Sequence, residues 1–338
     1  MALHLHRAQR TDTLAEDLGG LLASPLPDPF AQEVVVVPEQ GIERWLAQRL
    51  SHRLGTGEGG QDGVCAGVTF LRPRSLVTML TGRDDDDPWL PQHLAWPLLS
   101  VIDDALGEPW CTALSRHLGH GTEDPDGVRA GRRYSVALRL ARLLHRYAQS
   151  RPTMLTDWRE GRDTDGAGAA LDTDLAWQAE LWRRLVARVD APPPDVRHAE
   201  TVASLRDGAG APPQGADGDG AGAPPQGADG DGLELPERLS LFGHTRLAVT
   251  DVELLRALAL SRDVHLWLPQ PSPDLWERLA PFADEGVVDR ADDRTSDLVR
   301  HPLLASLGRD SRELVRVLGS SGSPAALRDG AGAPPQGA

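Results

Sequence analysis

Lysine is absent from all 338 residues, so every one of the 35 basic side chains is arginine. A Walker A loop needs a lysine to reach the β and γ phosphates, and a Schiff base needs one as its amine, so neither chemistry is open to this sequence. The lysine of a restriction-type nuclease centre is missing as well. Asparagine is absent too, and isoleucine occurs only as Ile42 and Ile102, a mark of GC-rich coding rather than of function. Cys65 and Cys111 stand alone, with no Cys-x-x-Cys pair for zinc, an iron–sulfur cluster or redox exchange, and read as buried thiols. No run of 18 apolar residues and no signal pattern occurs, so the expectation is a soluble, cytoplasmic protein with no membrane partner. The net charge of -15 excludes DNA binding by bulk charge and leaves a local basic stripe as the route to a polyanion.

What is present is organised around Glu33 to Leu50. Four consecutive valines, Val34 to Val37, read as a strand buried on both faces, the pattern of a parallel sheet covered by helices. Pro38 stops the strand. Ile42, Trp45, Leu46 and Leu50 then recur at helical spacing, while Glu39, Gln40, Glu43 and Arg44 stay off that stripe. In an open α/β sheet, ligands bind where a strand's carboxyl end leads into the next helix, which makes Pro38 to Arg44 the first place to look.

The chain opens with a strand at Leu3 to His6 and a helix from Thr13 to Leu22, with Thr13 and Glu16 spaced as a capping box. A right-handed crossover makes this strand and the valine strand parallel. The first βα turn, Arg7 to Asp12, has no glycine for close phosphate approach; its two arginines offer only electrostatic contact. After the glycine-rich stretch Gly55 to Gly63 comes a short strand, Val68 to Phe70. Arg72 and Arg74 then flank Pro73, either as a phosphate-facing pair or as a solvated turn. The acidic run Asp84 to Asp87 reads as a solvated loop. His117, His120, Glu123 and Asp124 have metal-ligand spacing but no supporting second cluster, and read as a surface helix end.

From Pro91 to Val189 the periodicity predicts helices over 92–106, 109–118, 134–149 and 171–189. In the third of these Ala137, Leu140, Leu144 and Tyr147 form the apolar stripe, and Arg139, Arg142, Arg146 and His145 line another face. Seven arginines and no acid lie between Arg129 and Arg151. Such a segment faces a polyanion or is consumed in ion pairs. Trp177 and Trp182 read as core. Past Pro192 to Pro194 the sequence turns to low complexity: 209–220 recurs unchanged as 221–232, and 327–338 repeats 205–216. These stretches cannot bury a core and read as disordered linker and tail, and a chain ending inside a repeat reads as a truncated product. A strand at Leu239 to Phe242, a helix from Thr250 (paired with Glu253 as a cap) to Leu260, and a strand from Val264 to Pro269 form a second β-α-β unit. Where a nucleotide-hydrolysing domain carries a Walker B acid after its strand, this chain has Gly243 and His244.

Together these features resemble the N-terminal part of the exodeoxyribonuclease V gamma subunit family, RecC. The resemblance rests on Asp28-Pro29-Phe30 before the valine strand, Gly41 with Trp45-Leu46, and Arg151-Pro152 after the arginine helix. Trp177-Gln178-Ala179 with Leu181-Trp182, Phe242-Gly243, and His301 to Arg309 add to it. It implies an α/β fold of degenerate superfamily 1 helicase-like (P-loop-type) character, a parallel sheet with an inserted all-helical subdomain. The expected segments are 1–83 for the first part of the α/β domain, 84–200 for the helical insertion and 201–236 for the disordered repeat linker. After them come 237–290 for the return to the sheet, 291–320 for the start of a following helical region and 321–338 for the disordered tail.

The resemblance also implies a non-catalytic subunit of a heterotrimer with helicase-nuclease and helicase partners, handling duplex ends and single-stranded DNA in double-strand-break repair. ATP and magnesium are then expected only in those partners, and no cofactor or metal in this chain. Channel positions carried over from the family are Gln40, Arg44, Arg72, Leu143, His145, Arg146, Arg151 and His198. The residue-level reading adds Arg74, Arg139 and Arg142, with Gln40 and His145 as candidates for base edges. In relatives this subunit threads the 3′-ended strand through a channel where a recombination hotspot sequence is read. Arg151 and Leu143 keep the family residue type, whereas Pro38, Arg44, Arg142, His145 and Arg146 depart from it, so the resemblance implies a DNA channel and leaves open whether the same hotspot sequence is read. Competing readings are a subunit of the related two-subunit helicase-nucleases, an active ATPase motor and a nonfunctional fragment.

Overall fold

The computed structural model describes residues 2–28, 30–55, 63–83, 85–120, 125–207, 235–270, 272–283, 288, 292–320 and 327–329. The chain divides into two compact units, residues 1–82 with 201–338, and residues 83–200. No helix among the described residues is long and apolar enough to cross a membrane.

In the first unit the chain runs β1 (Leu3–Ala8), α1 (Thr11–Leu22), β2 (Glu33–Val36), α2 (Gln40–Ser51), β3 (Val68–Leu71) and α3 (Pro73–Thr81). The second unit holds α4 (Pro91–Asp104), α5 (Thr112–His117), α6 (Pro125–Ser150), α7 (Pro152–Arg159) and α8 (Ala176–Arg188). Helix α9 (Pro194–Arg206) leads from it back into the first unit. There β4 (Arg238–Phe242), α10 (Val249–Leu258), β5 (Asp263–Pro269), α11 (Pro273–Ala283), α12 (Pro302–Leu307), α13 (Arg309–Ser320) and β6 (Leu327–Asp329) complete the order.

The strands form one sheet in the order β3-β2-β4-β5-β1-β6, and every pairing is parallel. The valine strand shows why. Val34 and Val36 pack into a core with Leu239, Leu241, Val264 and Leu266, while Val35 and Val37 pack into another with α1, α2, Phe242 and Trp267. Successive side chains point to opposite faces, so an unbroken apolar run fits only a strand covered on both sides. Each of the four valines is at most 2 % exposed, and burying such a side chain stabilises by about 1.5–3 kcal/mol.

Several local expectations are corrected. The helices start earlier than the capping boxes imply: α1 begins at Thr11 behind Arg10 and α10 at Val249 behind Ala248, and neither of these N-cap residues supplies a side-chain cap. Thr13 and Thr250 fall inside the first helical turn, so their hydroxyls come too late to cap it. The linker expected from residue 201 is helical through Arg206, with Thr201, Val202 and Leu205 buried. Pro194 sits at the start of that helix, where its missing N–H costs nothing. Leu327–Asp329, in the stretch expected to be disordered tail, pair with β1 from Leu3↔Leu327 to Leu5↔Asp329. The remaining repeat residues, 208–234 and 330–338, lie outside the described residues, as does most of the loop 55–63.

The second unit has its own core. Trp158 and Trp182 are 1 % exposed, and their indole N–H groups donate to the carbonyls of Thr164 at 2.8 Å and Leu155 at 3.0 Å. A buried tryptophan needs such a partner for its polar tip. Asp87, expected in a solvated loop, is instead half-buried against Arg197 through two contacts of 3.0 Å. Asp84, Glu123 and Asp124 lie outside the described residues; His117 and His120 are exposed, and no group of three metal-ligating side chains occurs among the described residues. Cys111 is buried and Cys65 half-buried, and burial raises both thiol pKa values.

Candidate nucleic-acid interface

Two surfaces carry the candidate residues, one on each unit. In the first unit, Val36 of β2 pairs with Leu71 of β3, and the Val37 N–H donates to the Leu71 carbonyl at 2.9 Å. The two strands therefore deliver α2 and α3 to the same carboxyl edge. Gln40 and Arg44 open α2, Arg72 and Arg74 open α3, and all four are exposed. Neither helix has a side-chain cap, so the first-turn N–H groups add positive potential at that edge. Arg44 and Arg72 form no ion pair among the described residues, while Arg74 is engaged within the fold.

The neighbouring turn after β1 behaves differently. The Arg7 guanidinium lies 4.7 Å from the centre of the Trp276 ring. Arg10 donates Nε to Asp12 at 2.9 Å, and this contact holds the Asp12 carboxyl down at about 2. Both arginines of the first βα turn are thus committed inside the chain. After β4, Gly243 takes φ 76°, a left-handed conformation suited to glycine, and its N–H donates to the Trp267 carbonyl at 2.9 Å. His244 follows, buried, and desolvation pushes its pKa down to about 4, so it is a neutral imidazole at neutral pH.

In the second unit the surface is one helix. α6 spans 26 residues, about 39 Å at 1.5 Å per residue. Ala137, Ala141 and Leu144 are buried, with Leu140 and Tyr147 packed against the same core. That stripe fixes the rotation of the helix and turns Arg132, Ser135, Arg139, Arg142, Arg146 and Gln149 outward, all exposed. Arg133, off this face, pairs with Asp103, and Arg132 donates to the His117 carbonyl at 3.0 Å. Arg139, Arg142 and Arg146 form no ion pair among the described residues. The choice left open by the sequence, polyanion face or ion-paired face, tips at these three positions toward free charge.

The remaining candidates are less open. Leu143 is half-buried beside the ridge. His145, half-buried, shares a 3.2 Å hydrogen bond with Gln149 one turn on. α6 ends because Pro152 disfavours helical geometry at Arg151, which takes φ -140° and ψ 55° while its N–H still donates to Tyr147 at 2.7 Å. Arg151 is thereby set at the break between α6 and α7. Tyr147 donates to Gln178 at 3.2 Å, and burial raises its pKa. His198, on α9, is half-buried and engaged within the fold.

The sequence profile of the RecC N-terminal domain matches residues 3–335. The chain belongs to the RecC family. It is similar to "RecBCD enzyme subunit RecC" of Mycobacterium tuberculosis H37Rv, 54 % identical over 321 residues that make up 94 % of this chain and 27 % of that protein. The same-named subunit of Mycolicibacterium smegmatis is 50 % identical over 94 % of this chain and 25 % of its own length, and that of Escherichia coli K12 is 23 % identical over 94 % and 28 %. The chain therefore spans about a quarter of the length of the RecC relatives it matches.

Sequence reasoning passed over two side chains on the RecC-family α4 and α6. Trp96 and Tyr134 are large aromatics left exposed. The signal was available: α4 buries Leu94, Ala95, Leu98, Val101 and Ile102, and Trp96 falls on the other side of that stripe.

Proposed function

We propose that this chain forms the helicase-like N-terminal part of a non-motor, DNA-handling subunit in a three-subunit helicase-nuclease that processes double-strand breaks for recombination. One observation carries the reading. Arg139, Arg142 and Arg146 stand exposed on one face of α6 without ion pairs among the described residues, in a chain of net charge -15. Cations kept free against so acidic a background suit a polyanionic ligand. Their guanidinium groups contact phosphates and set affinity, with Arg44, Arg72 and Arg151 as further phosphate contacts, and Gln40 and His145 reach base edges. The loss of motor activity is supported by the absence of lysine, by the internal commitment of Arg7 and Arg10, and by neutral His244 where a nucleotide-hydrolysing relative needs an acid. ATP and magnesium then serve the helicase and helicase-nuclease partners, in keeping with the RecBCD subunit name of the relatives.

The test is a salt titration of single-stranded DNA binding by the assembled complex carrying Arg139→Glu with Arg146→Glu. Affinity falls, and the slope of log affinity against log salt shrinks by about 1.4, two contacts at about 0.7 each on single strands. Unchanged affinity and slope would remove α6 from the DNA path. Co-purification of both variant and parent with the two partner subunits checks that assembly is preserved.

A further inference from the structure

We propose that Trp96 and Tyr134 form a stacking platform for an unpaired base of a single strand whose phosphates lie on the arginine face of α6. The inference rests on the DNA-handling role proposed above and names its substrate class as single-stranded. Trp96 is 63 % exposed and Tyr134 46 %, although both are large apolar rings that folding usually buries. Their ring centres lie 5.3 Å apart and the planes meet at 43°. At this exposure the tilted pair leaves ring surface uncovered, which a third flat ring can occupy.

What borders the pair selects that third ring. From Tyr134, successive turns of α6 bring Leu138 and Arg142 along the same ridge, whereas Arg139 lies about 140° around the axis, on the neighbouring face. Arg139 is about 7.5 Å and Arg142 about 12 Å along the helix axis from Tyr134. No acidic residue occurs on α6 from Tyr134 to Ser150. On α4 the nearby Asp103 is already occupied by Arg133. The aromatic pair therefore shares a ridge with one uncompensated positive charge, Arg142, at the border of the arginine face. A ligand that is both flat and apolar and joined to a run of negative charges matches both halves, and an unstacked nucleotide strand has that composition. A duplex matches only the charged half, because its bases are stacked on each other and present no ring face. An acidic peptide also matches only the charged half.

The experiment compares an oligothymidylate with an abasic oligonucleotide of equal length, both offered to the full chain. The abasic strand keeps every phosphate and lacks every base. Trp96→Leu is expected to weaken oligothymidylate binding about tenfold, within the range of a single base–aromatic stack, and to leave abasic binding unchanged. Tyr134→Leu behaves alike, and Trp96→Phe, which keeps a ring, restores most of the loss. Arg142→Ala weakens both oligonucleotides. Equal binding of the two strands by the parent chain, with Trp96→Leu silent, overturns the platform and leaves the DNA-handling role standing. Binding of neither strand by the parent overturns both. A Trp96→Leu chain that binds both strands as the parent does but fails to co-purify with a helicase partner would assign the pair to a protein interface and overturn the platform. Unchanged circular dichroism and melting of each variant guard against misfolding, which the exposure of both side chains makes an unimportant route.

Discussion

Arg238 and Arg142 are the same side chain in opposite circumstances. Arg238 opens β4 at the amino edge of the sheet, with its side chain only 13 % exposed, bonded to Glu33 through Nε at 3.0 Å and to the Ser24 carbonyl at 2.9 Å. Arg142 stands on the outer face of α6, open to solvent and without an ion pair among the described residues. The charge of the first is used up inside the fold, where it offsets the desolvation of a carboxylate. That of the second adds little to stability and remains available to a ligand. The largest expected effect tests the first half of this contrast. Arg238→Met leaves Glu33 buried and unpaired, and is expected to cost about 3 kcal/mol in chemical denaturation. Adding Glu33→Gln should recover most of it. A single variant as stable as the parent would show that the pair is as dispensable as a surface bridge.

The histidines differ in degree instead. His145 is half-buried and hydrogen-bonded to Gln149, whereas His244 is sealed under the sheet's carboxyl edge. The unfolded chain takes up the His244 proton near pH 6.5 and the folded chain only near 4, so within that window the unfolded state binds more protons. Stability is then fully present above pH 6.5 and falls as the pH drops toward 4, by up to about 1.4 kcal/mol per pH unit. His6 and His265 share a hydrogen bond of 3.0 Å, and burial pushes both in the same direction. His244→Leu is expected to flatten the decline in denaturation midpoint over this range. An unaltered slope would place the acid sensitivity with the His6–His265 pair instead.

How far such contrasts could be read in advance depends on where the deciding contacts lie. Val34 to Val37 were legible because strand periodicity is local, and Pro38 ends the strand by its own chemistry. The carboxyl edge carrying Gln40 and Arg44 followed from that strand, and the placement of Arg139, Arg142 and Arg146 off the Ala137–Leu144 stripe followed from helical spacing. Which arginines remain free was not legible. Arg238 finds Glu33 at a separation of 205 residues, and Arg197 finds Asp87 at 110. Leu-Arg-Asp makes the same point for the backbone. At 205–207 its first two residues end α9, while at 327–329 the identical tripeptide is a strand on β1. Local propensity is equal in the two copies, so the partner surface decides. The exposed Trp96–Tyr134 pair needed both effects at once, a helical position off the core and a neighbour from another helix.

On the free side of the contrast, Arg142→Ala should leave stability within about 0.5 kcal/mol, since it removes a solvated side chain that forms no ion pair among the described residues. Its effect belongs to binding, a drop of about 0.7 in the salt slope for single-stranded DNA. A variant that melts earlier yet binds as before would mean that Arg142 is consumed in a contact within the assembled complex.

The smallest expected effect separates position from availability. Arg10 lies in the turn after β1, where a nucleotide-binding domain of this topology places its phosphate loop, and it is 76 % exposed at the side chain. By location it is the better candidate for a phosphate contact. By chemistry it is not, because Asp12 holds its guanidinium through Nε and a second nitrogen, and the pair presents no net charge. An exposed pair of this kind adds little to folding either. Arg10→Ala is therefore expected to change neither the denaturation midpoint nor the salt slope of DNA binding, while Asp12→Ala, which frees the guanidinium, should strengthen binding slightly at low salt. If Arg10→Ala reduced the slope as far as Arg142→Ala does, the ion pair would be opening to admit phosphate. Exposure, rather than pairing, would then be the property that sorts the arginines of this chain.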